Sequence, residues 1–240
     1  MTTTTLDAGK NDAEKVTARI TSHLGPPGEW WWPGGWPGDI EAALADAVFS
    51  ARAVYRSKHG RGIYANVAAW RDGRGRAAWS LDELIAEIDS MGVHAWARHF
   101  GNRQHSPTRP PSAPGGPSKA AAVREAAGAL REQGINTAAD IGLDNTGAVQ
   151  NVLASVPGIG RGTASYFLML LGAPGVKPDR MVHRFLSDAA GHPFSDAQAE
   201  SVVIAAAGRL HVQPHVLDHA IWRYESSKAA DPPVDGRPGR

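Results

Sequence analysis

The chain has 240 residues, enough for one large domain or for two small lobes that share a core. Hydrophobic residues make up 42% of it and charged residues 20%, a mix typical of soluble globular proteins, and no apolar run approaches the roughly 20 residues that a membrane helix needs. The first residues show neither the basic nor the apolar region of a secretory signal, so we expect a soluble, cytoplasmic protein. The sequence contains no cysteine, which excludes disulfides, iron–sulfur clusters and cysteine-ligated zinc.

The charges are unevenly distributed although the formal net charge is only +1. Seven basic residues and one acid lie between Arg52 and Arg76, and four Lys or Arg residues and no acid lie between Arg98 and Lys119. A polyanion laid across one face would suit this distribution, and a solvated basic face would suit it equally well.

Helical patterns occur along most of the chain and alternating strand patterns do not, so we predict an all-α protein with about ten short helices. One apolar stripe consists of Ile40, Leu44, Val48, Ala51 and Tyr55. Residues that favour helix starts precede this and later stripes: Asp39, Ser80 with Glu83, Ser118, Ser195 with Gln198, and Pro214. Residues 1–12 and 229–240 are predicted to be flexible tails, and the Pro/Gly/Ser-rich segment 106–117 a loop or linker.

The segment 151–186 is the most informative part of the sequence. An apolar helix is predicted to end near Val156, and a second to begin near Arg161, with Pro157-Gly158-Ile159-Gly160 turning between them. The free amides and the positive dipole end of the second helix could bind a phosphate, with help from Arg161 and Thr163. An ordinary helix-to-helix turn is an equally good interpretation of these four residues alone.

Together with the residues that follow, this segment resembles the helix–hairpin–helix (HhH-GPD) DNA glycosylase superfamily, which includes endonuclease III and the alkyl-purine glycosylases. The matching residues are Val156-Pro157-Gly158-Ile159-Gly160, then Arg161-Gly162-Thr163-Ala164, the loop Gly172–Gly175, Asp179, and Arg184-Phe185. Weaker similarity extends from about residue 38 to about residue 190.

The resemblance implies two helical lobes with a DNA-binding cleft between them. Residues 39–172 would form a six-helix module that ends in the helix–hairpin–helix, and residues 13–38 with 173–228 would form a second lobe carrying the catalytic aspartate. The residues expected to hold DNA are Gly158, Gly160, Arg161, Gly162, Thr163, Arg52 and Lys119.

Asp179 is the catalytic residue that the resemblance implies, where it would stabilise positive charge on the sugar and orient the attacking water. A plain helix cap is the alternative from the residues alone, because Asp after Pro178 often begins a helix, and both roles can coexist. Members that also cut the strand have a lysine where this chain has Gly162. We therefore expect an enzyme that leaves an abasic site in an intact strand.

Arg52 and a group of tryptophans are the residues that the sequence offers for handling the extruded nucleotide. Arg52 is expected either to fill the gap that an extruded nucleotide leaves or to contact phosphate. Four tryptophans lie close together among Pro and Gly residues, and either base stacking or core packing would explain them: Trp30, Trp31, Trp32 and Trp36.

We predict no metal and no cofactor, apart from a monovalent cation that hairpin carbonyls can hold in relatives. His211, His215 and His219 with Asp218 have a spacing that could suggest a metal, but surface histidines explain it more simply.

The sequence thus predicts a monomeric, monofunctional DNA glycosylase that removes a damaged or modified base from double-stranded DNA in base excision repair. Two alternatives remain open: removal of hypermodified bases from phage DNA as an antiviral defence, and a non-catalytic DNA-binding protein that uses the hairpin only for grip.

Overall fold

The structure of the protein, a computed structural model, describes residues 3–32, 34–53, 62–75, 79–101 and 116–230. These residues form helices and turns and no β-strand, which confirms the predicted all-α class. The α-helices are, in chain order, α1 (Thr3–His23), α2 (Ile40–Phe49), α3 (Ile63–Asp72), α4 (Leu81–Met91), α5 (Val93–Trp96), α6 (Lys119–Glu132), α7 (Thr146–Ser155), α8 (Arg161–Leu170), α9 (Arg180–Ala190), α10 (Asp196–Arg209) and α11 (Pro214–Ala230). Short 3-10 helices lie at Pro27–Glu29, Ala97–Phe100 and Ala138–Asp140.

The chain divides into two compact units, one of residues 34–173 and one of residues up to 33 together with residues from 174 onward. We predicted the boundaries at 39 and 172, so residues 34–38 belong to the larger unit instead. The reason is local: the Trp36 amide donates to the Leu170 carbonyl at 2.6 Å. Gly35 permits this approach, because a β-carbon there would overlap the backbone of Leu170.

The larger unit is built around α2, all ten residues of which are buried. This helix packs against α3, α6 and α8, while α4 packs against α6 and α7 against α8. Near the end of α2, the rings of Phe49, Trp70, Trp96 and Phe100 form a cluster with centroid separations between 4.4 and 5.9 Å. Aromatic burial of this kind contributes much of the stability of a small core.

Carboxylates are also buried in the larger unit, and each has polar partners. The Trp36 indole donates to Asp46 Oδ2 at 2.8 Å, and the Ser80 amide donates to Glu41 Oε1 at 2.8 Å. Arg74 forms an ion pair with Glu41. These contacts offset the cost of burying charge.

The smaller unit is formed by α1, α9, α10 and α11. Helix α1 packs against α9 and α10, and α11 packs against the same two helices. Their shared core includes Val16, Ile20, Phe185, Val203 and Leu217. Residues 3–12, which we expected to lie in a flexible tail, belong to α1. Further along the same helix, Ala13, Val16 and Ile20 are buried.

Most predicted helix starts agree with the structure. Asp39 accepts from the Ala42 amide, Ser118 caps α6, Ser195 and Gln198 form a reciprocal capping box, and Pro214 begins α11. Ser80 caps α4, but its own amide donates to Glu41 rather than to Glu83, so that capping box is incomplete.

Several predictions fall outside the described residues: Tyr55 of the apolar stripe, most of the 106–117 loop, and residues 231–240 of the C-terminal tail. Among the helices that the structure describes, none combines the length and apolar character needed to cross a bilayer.

Candidate functional site

The turn between α7 and α8 is fixed by two buried apolar side chains. Val156 and Ile159 are buried on either side of the turn, and the Ile159 amide donates to the Val156 carbonyl at 3.0 Å. Gly158 between them has φ +91°, a conformation that a β-carbon disfavours. The predicted ends of both helices, near Val156 and Arg161, agree with the structure.

The N-terminus of α8 presents backbone N–H groups without a side-chain cap. The residue before the helix is Gly160, which has no side chain to accept from the first turn, and that turn contains no acidic residue. Gly160 and Arg161 are exposed. The Thr163 and Ala164 amides donate to the Gly160 carbonyl, and the Arg161 and Gly162 amides, which precede them, can take up an anion.

Room remains around the same turn. A β-carbon at Gly160 or Gly162 would meet no atom within 4 Å. A monovalent cation at the hairpin, which the resemblance allows, would have to share carbonyls that already accept hydrogen bonds, since the Val156 carbonyl accepts from Ile159 and the Gly160 carbonyl from Thr163 and Ala164. The Gly160 carbonyl thus has both lone pairs in use, whereas the Val156 carbonyl accepts one hydrogen bond from this turn.

Asp179 lies in the smaller unit, at the start of α9. Its Oδ1 accepts from the Met181 amide at 2.7 Å and from the Val182 amide at 3.1 Å. The residue is therefore the N-cap, as one interpretation of the sequence predicted, and it is only half-buried. Both hydrogen bonds go to one oxygen, so within the described residues Oδ2 is left for another group.

The loop before Asp179 is fixed by core packing at one residue and by backbone hydrogen bonds at the residues that follow. Val176 is buried in the core of the smaller unit. The Lys177 amide donates to Asp218 Oδ1 at 3.1 Å, and the Asp179 amide donates back to the Lys177 carbonyl at 2.6 Å. The backbone therefore presents the Asp179 carboxylate in a fixed position.

Asp218 is the functional candidate that the sequence analysis missed. It lies on α11, 41 residues from Lys177, and is only 6% exposed. Burial, and secondly the negative charge of Asp179, raise the pKa of Asp218 well above its ordinary value. The signal in the sequence was an acidic residue among the apolar residues of α11. We instead grouped Asp218 with three histidines and interpreted the group as surface residues.

Trp31 and Trp32 lie against one face of α11. Trp32 meets His215 and His219 edge-on at 5.7 and 5.6 Å, and Trp31 meets His219 edge-on at 5.4 Å. His219 also stacks on Trp222, with centroids 5.8 Å apart. We call these five residues the aromatic cluster. On α11, His215, His219 and Trp222 follow one another at intervals of four and three residues, so they share one face of the helix.

The aromatic cluster is partly open and carries a cation. Trp31 is 47% exposed, and the guanidinium of Arg223 lies 5.5 Å from its ring centroid. Burial lowers the pKa of His215, and its Nδ1 has no hydrogen-bond partner among the described residues. A neutral imidazole beside indoles provides flat, uncharged surface suited to stacking.

The two other tryptophans of the predicted base pocket have structural roles. The Trp30 indole donates to the Leu24 carbonyl at 2.9 Å, and its ring packs on the core of the smaller unit. Trp36 is buried in the larger unit, where it stacks on Tyr64 at 5.2 Å and donates to Asp46. Of the four tryptophans, Trp31 and Trp32 remain as candidates for the base pocket.

Lys119 has an internal role that differs from the predicted DNA contact. It is 2% exposed, and its ammonium donates to the carbonyls of Phe49 at 2.9 Å and Ala51 at 2.6 Å, at the C-terminal end of α2. Burial lowers the pKa of Lys119 to about 8. Arg52, which follows in the same turn, is exposed and has φ +54°.

The predicted basic face is partly neutralised within the protein. Arg71 pairs with Asp39 at 2.7 Å, and Arg74 pairs with Glu41 and, at 2.8 Å, with Glu87. The remaining basic residues between 54 and 61, together with Arg76, Arg103 and Arg109, lie outside the described residues. In the described part of the chain, no group of three His, Asp or Glu side chains could hold a metal ion.

A family model described as a domain of unknown function, DUF8548, matches residues 14–226, and the chain belongs to this family. Neither the curated proteins nor the solved structures contain a match to the chain. The matched residues span both compact units, so the family describes the two together.

Proposed function

We propose that the protein is a monofunctional DNA glycosylase, which hydrolyses the N-glycosidic bond of a damaged or modified base and leaves an abasic site. The observation that carries this proposal is the fixed carboxylate of Asp179, with one oxygen used for capping and the other available. Its position in the motif is the one that the resemblance assigns to catalysis.

Asp179 would act on the sugar of the target nucleotide. As the base departs, positive charge develops on C1′ and the ring oxygen, and a held carboxylate stabilises that charge without reorganising. The same carboxylate can orient a water for attack on C1′. The capping hydrogen bonds on Oδ1 restrict the side chain, so little rotamer freedom is lost on reaction.

The turn at Gly158 and the N-terminus of α8 would bind the DNA backbone. Their N–H groups suit a phosphate, and Arg161 adds an exposed positive charge. Phosphate contacts of this kind hold all duplexes alike and leave base choice to other residues. Arg52 is proposed as the residue that fills the gap in the stack, since it is exposed at the tip of its turn.

The aromatic cluster is proposed as the surface that receives the extruded base. Stacking on indole and imidazole tolerates many bases, which fits a lesion or a modified base equally well. Gly162 supplies no amine, so the proposed product is an intact strand with an abasic site.

The test is base release from defined substrates. The protein is incubated with duplexes that each carry one damaged or modified base, and with phage genomes that contain hypermodified bases. Free bases are detected by mass spectrometry, and strand cleavage is measured before and after alkali. We expect release of at least one class of base, cleavage only after alkali, and no covalent adduct trapped by borohydride.

The phage genomes separate defence from repair, because release from them alone would favour the antiviral role. Duplex binding without release from any substrate would contradict the proposal and favour the non-catalytic DNA-binding protein. Efficient borohydride trapping would contradict the monofunctional assignment, since it requires an amine at C1′.

A further inference from the structure

Asp218 is buried at a position where a carboxyl group lowers the stability of the fold unless polar partners compensate. It is almost fully buried on α11, where Leu217, the residue before it, and Ile221, three residues after it, are both 0% exposed and belong to the core of the smaller unit. A buried carboxyl group normally needs a cation or several donors to keep its charge. Here the described donor is one backbone amide, that of Lys177.

The charged groups near Asp218 do not favour a second negative charge. Asp179 raises its pKa and Lys177 lowers it, and burial has a larger effect than either. On α11 itself, His215 and His219 flank it, and burial lowers the pKa of His215. Charged side chains elsewhere on the neighbouring helices pair with other partners: Arg184 with Glu225, His183 with Asp196, Asp188 with Arg19, and Arg209 with Glu14.

We propose that Asp218 is a positioning residue for Asp179: from α11 its side chain accepts the Lys177 amide and so holds the loop that sets the place of the Asp179 carboxylate. The role in catalysis rests on the proposed function of Asp179. The raised pKa of Asp218 is a property of the fold and can be tested without any substrate.

The arrangement works through a short chain of contacts. Asp218 fixes the Lys177 amide, the Lys177 carbonyl receives the Asp179 amide, and Asp179 then caps α9. Without the first contact, the loop from Val176 to Asp179 loses the polar anchor that ties it to α11. An uncharged carboxyl group also avoids repelling the Asp179 carboxylate, which a charged one would do.

Two variants of Asp218 separate its hydrogen bond with the Lys177 amide from any effect of its charge. Asn closely matches a protonated Asp in shape, and its carbonyl oxygen can still accept from Lys177. Asp218→Asn should therefore release base at a rate within about threefold of the wild type, while Asp218→Ala should lose activity on the order of a hundredfold through misplacement of Asp179. If Asp218→Asn were as inactive as Asp179→Asn, the proposal would be overturned, because Asp218 would then act as a charged group.

A second measurement is independent of activity. A carboxyl group with a raised pKa keeps its proton in the folded state after the unfolded state has lost it, so the contribution of Asp218 to stability should fall as pH rises above about 4. Urea unfolding midpoints of the wild type and Asp218→Asn are compared at about pH 5 and about pH 8. We expect the midpoint of the wild type to fall relative to that of the variant, and parallel midpoints would overturn the raised pKa.

The base-release assay and the unfolding measurement can each contradict a different part of the proposal. If the wild type releases no base from any substrate, the proposed function is wrong, and the unfolding midpoints still show whether folding raises the pKa of Asp218. If the wild type is active and Asp218→Ala is folded and equally active, the positioning role is wrong and the proposed function stands. Circular dichroism of each variant establishes that it is folded.

Discussion

Asp179 caps α9 and is the proposed catalytic carboxylate, and one substitution separates the two roles. Asparagine caps helices about as well as aspartate, so Asp179→Asn should keep the bonds to Met181 and Val182 and the stability of the fold. Base release should fall by at least about a hundredfold, because the substitution removes the charge that is proposed to stabilise the transition state. DNA affinity, measured by fluorescence anisotropy, should be unchanged or higher.

Asp179→Ala is the matched comparison. It removes the cap as well as the charge, and should lower the free energy of unfolding by about 1 kcal/mol. Near-normal turnover by the asparagine variant would show that Asp179 is only a cap.

The tryptophans provide a second test at the scale of single residues. Trp31 is half-exposed and its indole has contacts with His219 and Arg223, whereas Trp36 is buried and bonded to Asp46. Trp31→Ala should weaken capture of the extruded base by about 1–3 kcal/mol, the usual contribution of one stacked base. The measurement is affinity for a duplex with an already unpaired target base.

Trp36→Phe is the control for that experiment. It leaves a buried carboxylate without its indole donor, and should lower stability by about 1–3 kcal/mol without affecting base capture. Equal capture by wild type and Trp31→Ala would move the base pocket away from the aromatic cluster.

The turn between α7 and α8 can be tested with two glycines of different backbone geometry. Gly158 has positive φ, so Gly158→Val should cost about 1–2 kcal/mol of stability and distort the turn. Gly160 is extended, with φ −93°, and open space surrounds it, so Gly160→Val should fold normally but place its side chain beside the N–H groups of α8. Both variants should bind every duplex more weakly.

Anisotropy titrations at several salt concentrations measure this loss. We expect the two variants to lose affinity alike for damaged and undamaged duplexes, because phosphate contacts carry no sequence information. A variant that binds normally and changes base preference would contradict the assignment of the turn to the DNA backbone.

At the junction of α2 and α6, we predict a variant that loses stability but keeps its DNA binding. Lys119 donates to the Phe49 and Ala51 carbonyls, so Lys119→Met should leave both without this donor and lower stability by about 1–3 kcal/mol. The salt dependence of DNA binding should not change. Arg161→Met, at an exposed position, should change stability by less than about 0.5 kcal/mol and reduce the salt slope by about 1.

If Lys119→Met is fully stable and instead reduces the salt slope, the lysine reaches DNA after all. Chemical denaturation and anisotropy on the same protein samples distinguish the two results.

Contacts between residues close in sequence could be predicted, and contacts between residues far apart in sequence could not. The caps at Asp39, Ser118 and Ser195 were predictable because each side chain bonds a backbone amide three residues away. The partners of Asp218 and Lys119 lie 41 and 70 residues away, so composition and spacing gave no sign of them. The same holds for Trp36, whose neighbour Leu170 no local pattern identifies.

At the scale of the whole molecule, α1 should be indispensable to the smaller unit. Val16 and Ile20 are 0% exposed and lie in the same core as α9, α10 and α11. Deletion of residues 1–24 would expose that core, and residues 174–228 should become sensitive to protease. The larger unit has its own core, so residues 34–173 should survive as a protected fragment.

Limited proteolysis followed by mass spectrometry identifies the fragments. The full chain digested in parallel is the control, and it should be cut first in segments outside both cores. Protection of both units after the deletion would show that α1 contributes little to the core that contains Val16 and Ile20.

The smaller unit joins segments from before and after the larger unit, and this has a consequence for synthesis on the ribosome. Residues 34–173 emerge as one continuous stretch and can fold as soon as they leave the exit tunnel. Helix α1 is made before this stretch, whereas α9, α10 and α11, its partners in that core, are made after it. While residues 34–173 are being made, Val16 and Ile20 therefore lack the surface that buries them, and the nascent chain exposes an apolar segment that a chaperone can bind.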